Sequence, residues 1–151
     1  MKIGIIVFSR TGNTLSVAQR LKTFLSDSGK DAEIRRVQAE VDKAGAVRLV
    51  EEPETSSFDA VIFAAPVHAF SLCPQMKAYM SKIKTLEGKR TACFTTQFFP
   101  FSWMGGSNAT GQMARIIKEK GGIVFAKGNI NWSGSRREGQ IESLIKRFAD
   151  I

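Results

Sequence analysis

The residues with the clearest chemical potential form the run Ser-Arg-Thr-Gly-Asn-Thr that starts at Ser9. The hydroxyl groups of Ser9, Thr11 and Thr14 can donate hydrogen bonds to a phosphate, and Gly12 lets backbone N–H groups approach it closely. A helix that begins directly after such a loop adds partial positive charge at its N-terminus. The alternative is an ordinary helix cap at Asn13 or Thr14, but a cap needs neither three hydroxyl residues nor a glycine. We therefore predict a phosphate-binding loop.

The elements that must position this loop are a buried strand before it and an amphipathic helix after it. Ile3–Phe8 is a continuous apolar run, as expected for a strand covered on both faces. Leu15–Ser28 has apolar residues along one side, and Gly29 ends the helix. The same alternation predicts further strands at 32–37, 60–65, 91–96 and 123–127, and helices at 42–50, from 74 onward, at 108–120 and at 136–149.

Five strands that alternate with five helices predict an α/β fold. We expect a three-layer, doubly wound, five-stranded parallel sheet in the order 2-1-3-4-5, formed by one domain over residues 1–151. Ligands of such sheets lie beyond the carboxyl ends of the strands, near the point where the strand order reverses. The three segments at that edge are residues 9–14, 65–74 and 97–108.

The first of these segments resembles a known family. Ser9 to Thr14 matches the S/T-x-T-G-x-T phosphate fingerprint of the flavodoxins, at the position after the first strand where that family has it. The strand order agrees as well, and no insertion interrupts the fifth strand, so the chain is similar to a short-chain flavodoxin. The resemblance implies an FMN cofactor whose phosphate is bound by Ser9, Thr11, Gly12, Asn13 and Thr14. Arg10 occupies a variable position and either reaches the phosphate or points to solvent.

The second segment resembles the loop that covers one face of the isoalloxazine ring. It comprises Pro66, Val67, His68, Ala69 and Phe70, and either His68 or Phe70 could stack on the ring. Many flavodoxins carry a glycine here, whose peptide turns over to accept a hydrogen bond from reduced flavin. This segment has none, so the same change would need a residue with a Cβ atom, at a higher conformational cost.

The third segment lies in the most unusual part of the chain, because residues 91–114 contain no charged side chain. By position it matches the second flavin-flanking loop of the family. Hydrogen bonds to the ring are expected from Thr95, Thr96 and Gln97, and stacking from Phe98, Phe99 or Trp103. The alternative is an exposed apolar patch for a partner protein, or, less favoured, for a membrane surface.

The net charge of +8 is concentrated in one part of the chain. Residues 1–59 carry equal numbers of basic and acidic side chains, so the whole excess lies in residues 60–151. A basic surface favours an acidic redox partner such as a ferredoxin. No nucleic-acid-binding motif is present, so we expect no nucleic acid. One histidine and two cysteines are too few for a metal cluster, and nothing indicates export, so we expect a cytoplasmic protein without a metal.

Three functions remain open from the sequence. The favoured one is an FMN-binding electron carrier, in which the protein binds the cofactor and sets its properties. The alternative is an FMN-dependent NAD(P)H:quinone-type reductase, and the third is a flavin-free interaction module. Cys73 precedes a predicted helix start, which would favour its thiolate, although a dyad with His68 has no orienting acid.

Overall fold

A computed structural model describes all 151 residues of the chain. In chain order its elements are β1 (Lys2–Val7), α1 (Asn13–Asp27), β2 (Asp31–Arg36), β3 (Gln38–Val41), β4 (Val47–Glu51), β5 (Ala60–His68), β6 (Ser71–Leu72), α2 (Pro74–Lys82), β7 (Arg90–Gln97), α3 (Gly106–Glu119), β8 (Ile123–Asn131) and α4 (Arg137–Phe148). A short 3-10 helix, Ser102–Met104, precedes α3. None of the four α-helices combines enough length with enough apolar side chains to span a lipid bilayer.

Five of the strands form one parallel sheet in the order β2-β1-β5-β7-β8. Numbered by their succession among the parallel strands, this is 2-1-3-4-5, so the predicted fold is confirmed. The short strand β6 pairs antiparallel with β5, and β3 and β4 form a separate antiparallel pair. The strand order reverses between β1 and β5, and a ligand site is therefore expected beyond their carboxyl ends.

Two apolar cores lie on opposite faces of the sheet. Alternate residues of β5 point to opposite sides, so Ile62 packs with α1 and α4 whereas Phe63 packs with α2 and α3. Apolar helix residues close each core. On one face they are Met76, Tyr79, Met80 and Ile83 of the α2 region, and on the other Ile141, Leu144, Ile145 and Phe148 of α4. This arrangement is the predicted three-layer architecture.

Strand β1 contains a glycine at a position where the core leaves no room for a side chain. A Cβ atom on Gly4 would lie 2.5 Å from Cδ2 of Phe58 and 2.7 Å from two further ring atoms. The Phe58 ring is buried in the core beside α2 and cannot move aside freely. Gly4 is therefore required for the close approach of this ring to the sheet.

The predicted helix at 42–50 is wrong, because this segment forms the turn and second strand of a hairpin. Oδ1 of Asp42 accepts hydrogen bonds from the N–H groups of Ala44 (2.9 Å) and Ala46 (2.8 Å). The Asp42 N–H also donates to the Ala46 carbonyl at 3.0 Å, and Gly45 has a φ of +87°. These local bonds replace the helical ones. The chain thus passes from β2 to β5 through a hairpin, and four helices cover the sheet instead of five.

Several element ends at the carboxyl edge differ from the predictions. Strand β5 continues as far as His68 because β6 turns back and pairs with it, and β8 continues to Asn131. Helix α3 begins at Gly106, two residues before the start predicted at 108, so Asn108 lies inside the helix and does not cap it. The Asn108 side chain instead donates through Nδ2 to the carbonyl oxygen of Phe70 at 3.1 Å. This bond ties the start of α3 to the β5–β6 turn.

Candidate functional site

The loop between β1 and α1 presents a set of unpaired backbone donors. Gly12 directly precedes α1 and has a φ of +93°. Oγ of Ser9 accepts the N–H groups of Gly12 at 3.2 Å and Leu15 at 3.3 Å, which holds the loop against the first helical turn. The N–H groups of Ser9, Arg10 and Thr11 donate to no protein acceptor, and those of the first helical turn have no intrahelical partner. Free donors around a left-handed residue are typical of an anion-binding nest.

Apart from Ser9 and Arg10, the loop has one buried side chain and two that form no hydrogen bond. Thr14 is 1% exposed, and its Oγ1 lies 2.7 Å from Oγ1 of Thr96 on β7. The side chains of Thr11 and Asn13 make no hydrogen bond within the protein. The residue that caps α1 is Gly12, without a side-chain cap bond, so the alternative of an ordinary cap at Asn13 or Thr14 is not what the structure has.

Arg10 connects this loop with the end of β5. Its Nη1 lies 3.3 Å from Nδ1 of His68, and both side chains are exposed. A guanidinium group only donates, so Nδ1 of His68 is the acceptor in this contact. The exposed guanidinium of Arg10 thus connects the segment at residues 9–14 with the segment that contains His68.

The turn between β5 and β6 has a backbone conformation that its residue types disfavour. Ala69 and Phe70 form a two-residue hairpin loop, and their φ angles are +49° and +62°. Such turns usually contain glycine or asparagine, and each left-handed residue with a Cβ atom costs about 1–2 kcal/mol. The absence of glycine noted in the sequence thus coincides with strain at this turn.

Two neighbouring residues hold the strained turn in place, and neither was predicted from the sequence to belong to the site. Asn108 binds the Phe70 carbonyl, and Gly105, with a φ of +124°, lies directly beneath it. A Cβ atom on Gly105 would lie 2.7 Å from Cα of Phe70 and 2.8 Å from Cγ1 of Val67. The pair Gly105-Gly106, which follows the aromatic residues 98–103, was the available signal in the sequence, because paired glycines indicate positive φ or a close approach of the backbone.

The aromatic residues of the site form two separate groups. Phe70 and Phe99 stack with ring centroids 5.7 Å apart and an interplanar angle of 9°, and Phe98 meets Phe99 edge to face at 6.0 Å. Trp103 instead stacks on Phe101, with centroids 6.0 Å apart and planes 8° apart. The structure therefore brings Phe70, Phe98 and Phe99 together, and it places Trp103 in a different group.

The two threonines predicted to bind the flavin ring have protein partners. Thr95 donates through Oγ1 to Oδ1 of Asn129 at 2.7 Å, and Thr96 shares its hydroxyl bond with Thr14. Both threonines are buried. Their hydroxyl groups therefore join β7 to β8 and to the loop before α1.

Gln97 supports the aromatic segment from inside the protein. Its Nε2 donates to the carbonyl oxygens of Phe99 (3.1 Å) and Phe101 (2.7 Å), and the residue is 4% exposed. Its Oε1 is buried without a hydrogen-bond partner. The amide nitrogen of Gln97 thus fixes the loop backbone, and its Oε1 is left with unused acceptor capacity.

At Cys73, burial outweighs the helix start that would favour a thiolate. Burial raises the pKa of the Cys73 thiol to about 11, against smaller lowering contributions from backbone hydrogen bonds and Arg10. Burial likewise raises the pKa of Cys93 to about 12. Both cysteines are free and packed in the core beside α2 and α3, and both remain protonated near neutral pH.

The loop before α1 and the β5–β6 turn both fall within a stretch that matches a known family. Residues 4–100 match the sequence profile of the flavodoxin domain. The chain belongs to the flavodoxin domain family. This membership implies flavin binding, and the matched stretch covers most of the sheet and two of the three segments at its carboxyl edge.

Solved flavodoxins share the fold of this flavodoxin-domain protein along its whole length. Oxidised flavodoxin 2 from Bacillus cereus superposes with a TM-score of 0.74 at 16% identity, covering 99% of both chains. Two-electron-reduced flavodoxin from Megasphaera elsdenii gives 0.73 at 15% identity, again over 99% of both chains. The TM-scores show a common fold, whereas the sequences have diverged widely.

A curated sequence relative is the NAD(P)H dehydrogenase (quinone) of Archaeoglobus fulgidus. It is 28% identical to this flavodoxin-domain protein over 130 residues, which cover 72% of the chain. The chain spans about two-thirds of that relative's length, since the aligned region covers 66% of it. The relative is thus more similar in sequence than the superposed flavodoxins, over a shorter part of the chain.

Proposed function

We propose that this protein binds FMN with its phosphate in the Ser9–Thr14 loop and transfers electrons between redox partners. The observation that carries the proposal is the cluster of unpaired N–H donors around Gly12 at the switch point of the sheet. Flavin binding follows from the family, whereas FMN itself, its binding residues and the electron-carrier role are our assignments. When bound, FMN supplies the group that accepts and releases electrons, and the protein binds and orients it.

The residues of the loop suit a phosphate dianion. Thr11 and Asn13 offer free side-chain donors beside the free backbone donors, and the loop contains no carboxylate. Arg10 is the charged residue of the loop, and its bond to His68 holds the guanidinium near the phosphate loop. We assign phosphate binding to Ser9, Thr11, Gly12, Asn13 and the backbone of Thr14, and charge compensation to Arg10.

The parallel rings of Phe70 and Phe99 suit a planar ligand between the second and third segments. A ring stacked between them needs about 3.5 Å on each side, whereas the two centroids are 5.7 Å apart. We therefore propose that the pair opens to receive the flavin ring between Phe70 and Phe99 and that Phe98 shields it from water. The other residues of the second segment, Pro66, Val67, His68 and Ala69, lie on the Phe70 side of the ring. Thr95, Thr96 and Gln97 then act mainly by fixing the segment that carries Phe98 and Phe99.

A second candidate function is FMN-dependent reduction of a quinone-type acceptor by NAD(P)H. The sequence relative carries that activity in its name, and the Ala69–Phe70 turn lacks the glycine that many electron-carrying relatives have. A flavin-free interaction module is the third candidate, and the unpaired donors of the loop count against it.

Anaerobic reduction of the FMN-loaded protein distinguishes these functions. We expect the purified protein to take up one equivalent of FMN, and stepwise addition of a chemical reductant to give two resolved one-electron steps in the visible spectrum. Rapid bleaching by NADPH alone, followed by reoxidation with a quinone, would favour the reductase. A protein that takes up no FMN would contradict both proposals and leave the interaction module.

The excess of basic residues in 60–151 favours an acidic partner protein, and the exposed Phe98 offers it an apolar contact beside the proposed flavin site. We expect electron transfer with an acidic ferredoxin to slow by about tenfold between 20 and 300 mM salt, because salt screens the attraction that steers encounter. Stopped-flow absorbance measures this rate. Cytochrome c, a basic redox protein, is the control and should show no such loss. Equal salt dependence with both partners would contradict the proposed partner chemistry.

A further inference from the structure

A separate cavity lies between the aromatic segment and the start of α4, beyond the ends of β7 and β8. Its volume is about 550 Å³, and its walls include Phe101, Trp103, Asn131, Ser135, Arg136 and Gln140. None of these residues belongs to the proposed phosphate loop or to the Phe70–Phe99 pair. The cavity is therefore distinct from the proposed FMN site, although the aromatic segment borders both.

One wall of the cavity is a flat aromatic surface. The rings of Phe101 and Trp103 lie within 8° of parallel, and these residues are 55% and 78% exposed. Large exposed aromatic groups arranged as a stack are suited to another planar ring, such as a nucleobase. This wall thus favours a ligand with an aromatic ring.

The remaining walls carry hydrogen-bond donors that are free or make only a long contact within the protein. The Arg136 guanidinium forms no ion pair and no hydrogen bond. Asn131 is 5% exposed, yet its Nδ2 has only a long contact of 3.5 Å to Ser102 Oγ. Gln140 accepts the Asn131 N–H through Oε1 at 2.8 Å, so its Nε2 is also free. The free donors of Arg136 and Gln140, together with the long Asn131 contact, are available to a ligand atom that accepts hydrogen bonds in the cavity.

The cavity continues into a second one along α4, and neither contains a carboxylate. The second cavity, of about 440 Å³, shares Ser135, Arg136 and Gln140 with the first and adds Arg147. Two arginines and several donors without an opposing acid create a positive local field, which favours an anionic, acceptor-rich ligand. Phosphate is such a group, and the arginine geometry matches it.

We propose that this cavity binds a nucleoside phosphate, with the base against Phe101 and Trp103 and the phosphate at Arg136. The carboxylate-free walls and the parallel rings together carry this assignment, since the walls alone would suit an inorganic anion and the rings alone a simple aromatic compound. The proposal does not depend on FMN binding, because it uses none of the residues assigned to the cofactor.

Isothermal titration calorimetry with ADP on the FMN-loaded protein tests the site. We expect ADP to bind more tightly than adenosine or inorganic phosphate. Arg136→Gln should weaken ADP binding about 10- to 100-fold, because a hydrogen bond to a charged group is lost. Trp103→Ala should weaken it about tenfold through lost stacking. The matched control is Arg115→Gln, which removes the same charge from an exposed position on α3 and should change the affinity less than about twofold.

Three results would overturn the proposal. They are equal ADP affinity in the Arg136 and Arg115 variants, inorganic phosphate binding as tightly as ADP, and release of FMN by ADP, which is visible as a rise in flavin fluorescence. The same titration on FMN-free protein keeps the two sites apart. ADP binding that persists there and is weakened by Arg136→Gln but not by Arg115→Gln supports this site even if the FMN proposal fails.

Discussion

Replacing Thr11 with aspartate is expected to weaken FMN binding at least 100-fold. Thr11 is exposed, its side chain has no hydrogen-bond partner in the protein, and it lies among the free donors of the loop. A carboxylate there would face the phosphate dianion, and two like charges about 4 Å apart near a protein surface repel by roughly 4 kcal/mol. The variant also loses a hydroxyl donor. Quenching of FMN fluorescence during titration gives the dissociation constant.

Thr23→Asp is the matched control for this prediction. Thr23 is an exposed threonine further along α1, so the substitution adds the same charge without facing the loop. It should alter FMN affinity less than about threefold, and Thr11→Ser should stay near the wild type because the hydroxyl is kept. If Thr11→Asp bound FMN as tightly as Thr23→Asp, the phosphate would have to bind elsewhere.

The fold and the position of the loop before α1 were predictable because their signals are local and repeated. Continuous apolar runs such as Ile3–Phe8 and Ala60–Ala65 indicate strands buried on both faces, and their alternation with helices leaves few topologies. The loop is read from six consecutive residues between two such elements. Its hydroxyl groups and the positive φ of Gly12 are properties of the loop residues themselves, so they can be predicted without knowing the tertiary contacts.

The hairpin that replaces the predicted helix shows where local periodicity fails. Residues 42–50 contain apolar positions that suit a weak helix, but Asp42 has the option of bonding Ala44 and Ala46 through its side chain. Leu49 then packs against the core beside α2 from a strand. The choice between helix and hairpin thus depends on a side-chain bond and a tertiary contact that the hydrophobic pattern does not contain.

The strained turn at Ala69 and Phe70 could not have been predicted from its own residues, because both disfavour positive φ. Two residues far from the turn in sequence support its conformation. Asn108 bonds the Phe70 carbonyl, and Gly105 leaves room for the close approach of Phe70. The grouping of Trp103 with Phe101 is likewise a result of the loop's tertiary arrangement. The conformation of the Ala69–Phe70 turn and the grouping of the aromatic rings therefore depend on tertiary contacts that the local sequence does not contain.

Substituting Gly105 with alanine is expected to destabilise the protein by about 2–4 kcal/mol. Its φ of +124° lies in a region that residues with a Cβ atom rarely adopt. The new Cβ would lie 2.7 Å from Cα and 3.0 Å from the carbonyl carbon of Phe70, so backbone has to move, which typically costs about 1–3 kcal/mol in addition. Thermal unfolding of the FMN-free protein should show a midpoint lower by at least about 5 °C.

Gly111→Ala provides the control, because Gly111 lies within α3, has no positive φ, and has open space where the alanine methyl group would lie. This substitution should be neutral or stabilise the protein by about 0.5–1 kcal/mol through helix propensity. Movement of Phe70 in the Gly105 variant also displaces the ring that pairs with Phe99, so FMN affinity should fall together with stability. If Gly105→Ala lowered stability but left FMN affinity unchanged, the Phe70–Phe99 pair would have no part in holding the flavin ring, while the phosphate loop would still stand on the result for Thr11.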